Sequence, residues 1–223
     1  MNPPLLDFGG SGAPLYFLHA NGYPPACYRP LLTLLAQHYH VTALVQRPLW
    51  SESRPEELAD WLPLTDDLLQ FLEAQPPGPV TCAGHSMGAV ALLRAALRAP
   101  ERFRAIVLID PVLFPPHVIR TWQVVRRLGL SRQLHPLIRA TRERRSQFDD
   151  LDRLFAGYRR KPVFKYMDDE ALRAYVEGIA CPDGKGYQLC YSTDWEMRIY
   201  ETGIWRDMDI WRGLPGLQRP TLI

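Results

Sequence analysis

No run of about 18 uncharged apolar residues occurs in the 223-residue chain, so a membrane-spanning helix is not expected. Nor does one sign of charge dominate. There are 26 Lys/Arg against 24 Asp/Glu, a net charge of +2, which gives no general attraction to nucleic acid. Cysteine is scarce: Cys27, Cys82, Cys181 and Cys190 form no Cys-x-x-Cys pair. The expectation is four unpaired, reduced thiols, with Cys82 behaving as a small apolar residue. No stretch has metal-ligand spacing or the form of a phosphate-binding glycine loop, so no metal and no organic cofactor are expected. The first residues, Met1 to Asp7, lack the basic start and apolar centre of a secretory signal, so a cytoplasmic protein is expected. Histidine is also missing from a long stretch: all six lie at or before His135.

What is present is enough for a globular core. Hydrophobic residues make up 47% and charged residues 22% of the chain, outside the disordered range. The organising stretch is Ala83-Gly84-His85-Ser86-Met87-Gly88-Ala89. It follows the apolar run Pro79 to Cys82 and precedes Val90 to Arg98, which reads as a helix. Strand, Gly-x-Ser-x-Gly, then helix is the context of a strained turn that presents a serine hydroxyl at the top of a sheet. Two small residues let the backbone turn sharply there, and the positive end of a helix lies behind the hydroxyl.

Leu5 to Phe8 reads as a short edge strand and Pro14 to Leu18 as a buried one, ending in His19-Ala20-Asn21-Gly22. Ala26 to Gln37 has helical spacing, and His40 to Val45 is the next strand. Thr65 is placed to cap a helix running to about Glu73. Ala105 to Ile109 is a further continuous apolar strand, ending at Asp110-Pro111. Strands without polar alternation, separated by helices, predict an α/β fold with a mostly parallel sheet covered on both faces. Ligands should then sit at the carboxyl ends of the strands, where His19, Arg47, Ser86 and Asp110 fall.

From Val112 to about Leu217 the texture turns helical, with stretches at 118–128, 134–145, 151–158 and 169–178. This reads as a cap inserted over the strand ends. The expected organisation is residues 1–111 as core, 112–217 as helical cap, and 218–223 as the start of another core strand. Residues 120–165 hold 13 Lys/Arg against 4 Asp/Glu. They are read as the solvated face of cap helices, with attraction of an anionic substrate or of a membrane surface left open.

These segments, in this order and spacing, resemble the α/β-hydrolase superfamily. The likeness is to its cap-bearing esterase, haloperoxidase-like and dehalogenase-like members. Phe17 to Gly22, Gly84 to Gly88 and Ile106 to Pro111 carry the resemblance. It implies Ser86 as nucleophile, with the backbone N–H groups of Met87 and Asn21 as the oxyanion hole. Trp50, His19 and His85 would stand near the substrate pocket, the two histidines in supporting roles. Asp110 is either an acid from an alternative position or a residue ordering the Asp-Pro turn. His117 is a conceivable base from the cap.

In relatives the acid and the base histidine usually follow the strand that Pro220 to Ile223 starts. On that pattern the chain is a C-terminally truncated serine hydrolase, weakly active or inactive. Its substrate would be a small ester, thioester or amide, with no nucleic acid partner and no stable membrane insertion. The alternative is a non-catalytic relative that binds a ligand or partner in the same pocket.

Overall fold

The computed structural model describes residues 3–223. Its first half alternates strand and helix: β1 (Leu5–Gly9), β2 (Ala13–Leu18), α1 (Arg29–Leu35), β3 (Tyr39–Leu44), α2 (Leu62–Glu73), β4 (Val80–His85), α3 (Met87–Arg98) and β5 (Phe103–Ile109). Then come α4 (Pro116–Arg127), α5 (Ser131–Leu134), α6 (Pro136–Arg142), β6 (Gln147–Phe148), α7 (Leu151–Arg159) and α8 (Asp169–Ile179). The chain continues through β7 (Ala180–Pro182), β8 (Tyr187–Leu189), α9 (Thr193–Thr202), α10 (Met208–Gly213) and β9 (Thr221–Leu222).

Six strands form the main sheet, in the order β1-β3-β2-β4-β5-β9. Only β1 runs antiparallel to its neighbour. The alternation along each strand sorts the core into two layers. Leu15, Phe17, Val41, Ala43 and Ala83 face α1 and pack on Leu32. Tyr16, Leu18, Cys82, Ile106 and Leu108 face the opposite way, where α2 and α3 cover them. Helix α3 is buried from Met87 through Ala96. A helix covered on nearly every side is apolar over most of its length, and the one charge within this buried stretch is Arg94.

Three details differ from the sequence reading. Helix α2 starts a turn earlier than Thr65, at Leu62. Thr65 is wholly buried, and its hydroxyl donates to the Ala91 carbonyl at 3.4 Å. The segment after β5 is not purely helical: β6, β8 and β7 form a small antiparallel sheet. That sheet overturns the expectation of four free thiols. Residues Ala180–Pro182 pair with Tyr187–Leu189, and the hairpin brings Cys181 to Cys190, whose Cα atoms lie 5.1 Å apart in a disulfide. Only Cys27 and Cys82 remain free. No helix among the described residues is long and apolar enough to cross a membrane.

One polar contact crosses the core. Arg94 of α3 is 2% exposed and donates to Asp207 at 2.6 Å and to Asp209 at 2.8 Å. Burial pushes the Asp207 carboxyl up to about 6, against the opposing pull of Arg94. Removing one partner of a buried pair strands the other charge. Arg94→Ala should therefore cost about 3–5 kcal/mol of unfolding free energy in urea titration, against ~1 kcal/mol or less for Arg98→Ala. Arg98 makes an exposed pair with Asp66. Equal costs for the two variants would contradict the buried-pair account.

Candidate active site

Ser86 links β4 directly to α3 and holds φ 52° and ψ −114°. Positive φ in a non-glycine residue costs about 1–3 kcal/mol and persists only where its surroundings enforce it. Here the enforcement is visible. The Ser86 N–H donates to the Ile109 carbonyl at 2.9 Å. A Cβ on Gly84 would lie 2.7 Å from the Gly88 carbonyl oxygen. One on Gly88 would lie 2.5 Å from the Leu18 carbonyl oxygen. Both glycines are therefore demanded by close backbone approach. Ser86 occupies the N-cap of α3, so the Met87 N–H is among the unpaired donors at the positive end of that helix.

The loop after β2 is fixed from three sides. The Ala20 N–H donates to the Tyr28 hydroxyl at 3.1 Å, and that hydroxyl pairs with His85 Nδ1 at 2.7 Å. His19 is fully buried; its Nδ1–H donates to the Ala20 carbonyl at 2.9 Å, and its Nε2 accepts the Gln46 N–H at 3.1 Å. The Asn21 amide donates to the Glu196 carbonyl at 3.2 Å, tying the loop to α9. Glu196 is itself buried and clamped by Arg144 and by the Thr141 hydroxyl.

Ser86 opens into a cavity of about 310 Å³. Asn21, His85 and Met87 line its floor, and Trp61, Phe114 and Ile199 are among its apolar walls. Two other residues expected at the pocket stand elsewhere. His19 lies beneath the loop rather than in the cavity wall, because both ring nitrogens are engaged with backbone groups. Trp50 lines a separate groove with Arg47 and Asp67. Its indole donates to the Val45 carbonyl at 2.6 Å, which turns it away. Asp110 follows β5 with φ 43°, one position beyond the register partner of His85. Burial lowers the His85 pKa and the Asp110 charge partly offsets that. His117 is exposed at the start of α4 and does not line the cavity.

Residues 15–219 match the model of the alpha/beta hydrolase family. The chain belongs to that family. A curated relative, (E)-2-((N-methylformamido)methylene)succinate hydrolase of Acinetobacter baylyi, is 24% identical over 132 residues, 56% of this chain and 48% of the relative. The 2-(acetamidomethylene)succinate hydrolase of Mesorhizobium japonicum is 28% identical over 49% of this chain and 38% of its own length. The chain thus spans about half or less of these curated relatives. Among solved structures, E-2-(acetamidomethylene)succinate hydrolase superposes with a TM-score of 0.72 at 20% identity, covering 97% of this chain and 74% of that one. A thioesterase domain from the curacin biosynthetic pathway gives 0.65 at 18% identity, over 97% and 75% of the two chains.

Among the pocket residues that the sequence reading of this hydrolase-family chain missed, one is titratable at neutral pH. His135, between α5 and α6, lines the same cavity as Ser86. Its ring stacks on Tyr200 with centroids 5.1 Å apart and meets Trp122 edge-on at 5.5 Å. Burial lowers its pKa. Nothing in local spacing signals this placement, which depends on how two short helices pack over α9.

His19 makes the stability of the fold pH-dependent. Burial lowers its pKa from 6.5 to about 4. The unfolded chain therefore takes up this proton first, and stability is lost as pH falls from 6.5 towards 4. Urea midpoints measured across that window should decline for the wild type, with a shallower decline for His19→Asn. Identical slopes would contradict a neutral, backbone-bonded His19.

Proposed function

We propose that this chain is a serine hydrolase acting on a small ester-like substrate through an acyl-enzyme on Ser86. The observation that carries the reading is the strained Ser86 at the N-terminus of α3, opening into an apolar-walled cavity. On this reading the hydroxyl attacks a carbonyl carbon held in the cavity, and its proton passes to solvent water, which returns a proton to the leaving group. The carbonyl oxygen takes up the electron pair and rests on the N–H groups of Met87 and Asn21. Each such donor typically contributes a factor of about 100 to 1,000. Collapse of the tetrahedral adduct expels the leaving group, and water later releases the acyl group from Ser86. The strained φ keeps the hydroxyl clear of its own helix, so little reorganisation precedes attack.

The apolar walls favour a substrate with an apolar part. Two relatives are named as hydrolases of amide-bearing succinates and one solved neighbour as a thioesterase domain. These names favour an amide or thioester over other bonds. Residues 112–217 act as the cap that closes the cavity, and Asp110 is the strand-end carboxylate available to orient a base. Among the described residues no side chain hydrogen-bonds the Ser86 hydroxyl. With no acceptor in place for the serine proton, turnover should be slow, since loss of a triad member costs about 10⁴–10⁶ in rate.

Incubation with p-nitrophenyl acetate followed by peptide mass spectrometry tests this. A single acetyl group should accumulate slowly on Ser86, be absent in Ser86→Ala, and form faster when imidazole is added as an external base. Nitrophenol release that is unchanged in Ser86→Ala would overturn the assignment.

A further inference from the structure

Arginine collects around a second, larger depression. A groove of about 710 Å³ is lined by Arg98, Arg120, Arg126, Arg127, Arg206 and Arg212. These come from α3, from α4 and from the chain around α10, three separate parts of the sequence. Their needs are not equally met. Arg98 pairs with Asp66 and Arg206 with Asp60. Arg126 donates to the carbonyls of Glu201 and Ala59. The one acid in the groove wall, Asp209, is already bonded to the buried Arg94. Arg120, Arg127 and Arg212 have no ion-pair partner among the described residues. Three arginines thus line one groove without an ion-pair partner among the described residues.

Trp205 lines the same groove. Two guanidinium groups approach its ring, that of Arg126 at 4.7 Å and that of Arg206 at 4.3 Å from the centroid. Its indole N–H is buried and has no hydrogen-bond partner. The Trp205 backbone is held on both sides, its N–H donating to the Gly203 carbonyl at 2.7 Å and its carbonyl accepting from the Gln123 amide at 2.8 Å. The platform is therefore fixed before any ligand arrives.

The unpaired charged groups in this groove are all cations, and the space is of the size that holds small-molecule ligands. Guanidinium forks match the oxygens of phosphates, and several forks in one groove favour a ligand with adjacent phosphates over a single charge. We propose that the groove binds a soluble, multiply charged anion bearing adjacent phosphates, with Arg120, Arg127 and Arg212 as its principal ligands beside the Trp205 ring. The inference goes beyond the Ser86 reading and stands without it. The two sites nevertheless share a wall. Gly203 and Ile204 line the Ser86 cavity, the next two residues line the groove, and Ile204 bridges them at φ 70°.

Calorimetric titration of the full chain with inorganic pyrophosphate at physiological salt, alongside ADP and adenosine, tests the proposal. Pyrophosphate and ADP should bind, with affinity falling as salt rises, and adenosine should not. Pyrophosphate should also change the emission of wild-type protein and not that of Trp205→Phe. The triple variant R120Q/R127Q/R212Q should keep the wild-type melting temperature, because these side chains hold nothing in the fold. It should lose at least about tenfold in affinity, as expected for removing charged bidentate contacts. Arg153→Gln with Arg160→Gln, on another basic surface, should bind as wild type, and so should Ser86→Ala. Failure of pyrophosphate to bind would overturn the proposal, as would undiminished binding by the triple variant. Binding to phosphatidylglycerol vesicles without binding to pyrophosphate would assign the arginines to a lipid surface and overturn it equally.

Discussion

The site depends on how closely two pieces of backbone approach one another. Helix α3 starts so near the end of β2 that Gly88 has no room for a Cβ beside the carbonyls of Leu18 and His19. Gly84 is confined in the same way against the first turn of α3. With both neighbours fixed, the chain can pass from strand to helix within a single residue, and that residue takes the strained conformation. Ser86 is strained because its surroundings leave no other path, and the strain aims the side chain into the cavity. The same approach brings the β2 loop, with Asn21, up against the N-terminus of α3.

Polar ties hold the later part of the chain over this elbow. Arg94 reaches from α3 to Asp207 and Asp209, and the Trp61 indole donates to the Ile199 carbonyl at 3.1 Å. Glu196 is the most connected of these ties. Its carboxylate meets Arg144 and Thr141, while its backbone carbonyl accepts from Asn21. A change in how the 112–217 segment sits would thus be felt at Asn21, one of the two proposed oxyanion donors. Burial raises the Glu196 pKa despite Arg144, so this junction is under electrostatic tension as well as packing constraint.

Much of the core was legible because its signals are local. Apolar runs of the length of Tyr16–Leu18 and Ile106–Ile109, separated by helices, specify parallel strands. The glycines around Ser86 mark a turn by their spacing alone. What escaped were features made by distant pairing. Cys181 and Cys190 meet only because β7 and β8 fold back on each other. Trp50 sits in the loop after β3, on the side of the sheet where pocket residues gather, and the hydrogen bond to Val45 reveals that it faces another groove. His135 reaches the Ser86 cavity through the packing of α5 and α6 on α9, with no mark in its own neighbourhood. The charge of residues 120–165 was visible in composition, yet the groove at Trp205 takes half its arginines from outside that stretch.

The central claim is that Ser86 is a nucleophile presented to two backbone donors. A crystal structure of the chain after reaction with a fluorophosphonate tests it most directly. The account predicts a phosphonyl group on Ser86 Oγ, with its phosphoryl oxygen about 2.7–3.1 Å from the backbone nitrogens of both Met87 and Asn21. An adduct on another residue, or one on Ser86 whose oxygen points away from those two N–H groups, would contradict it.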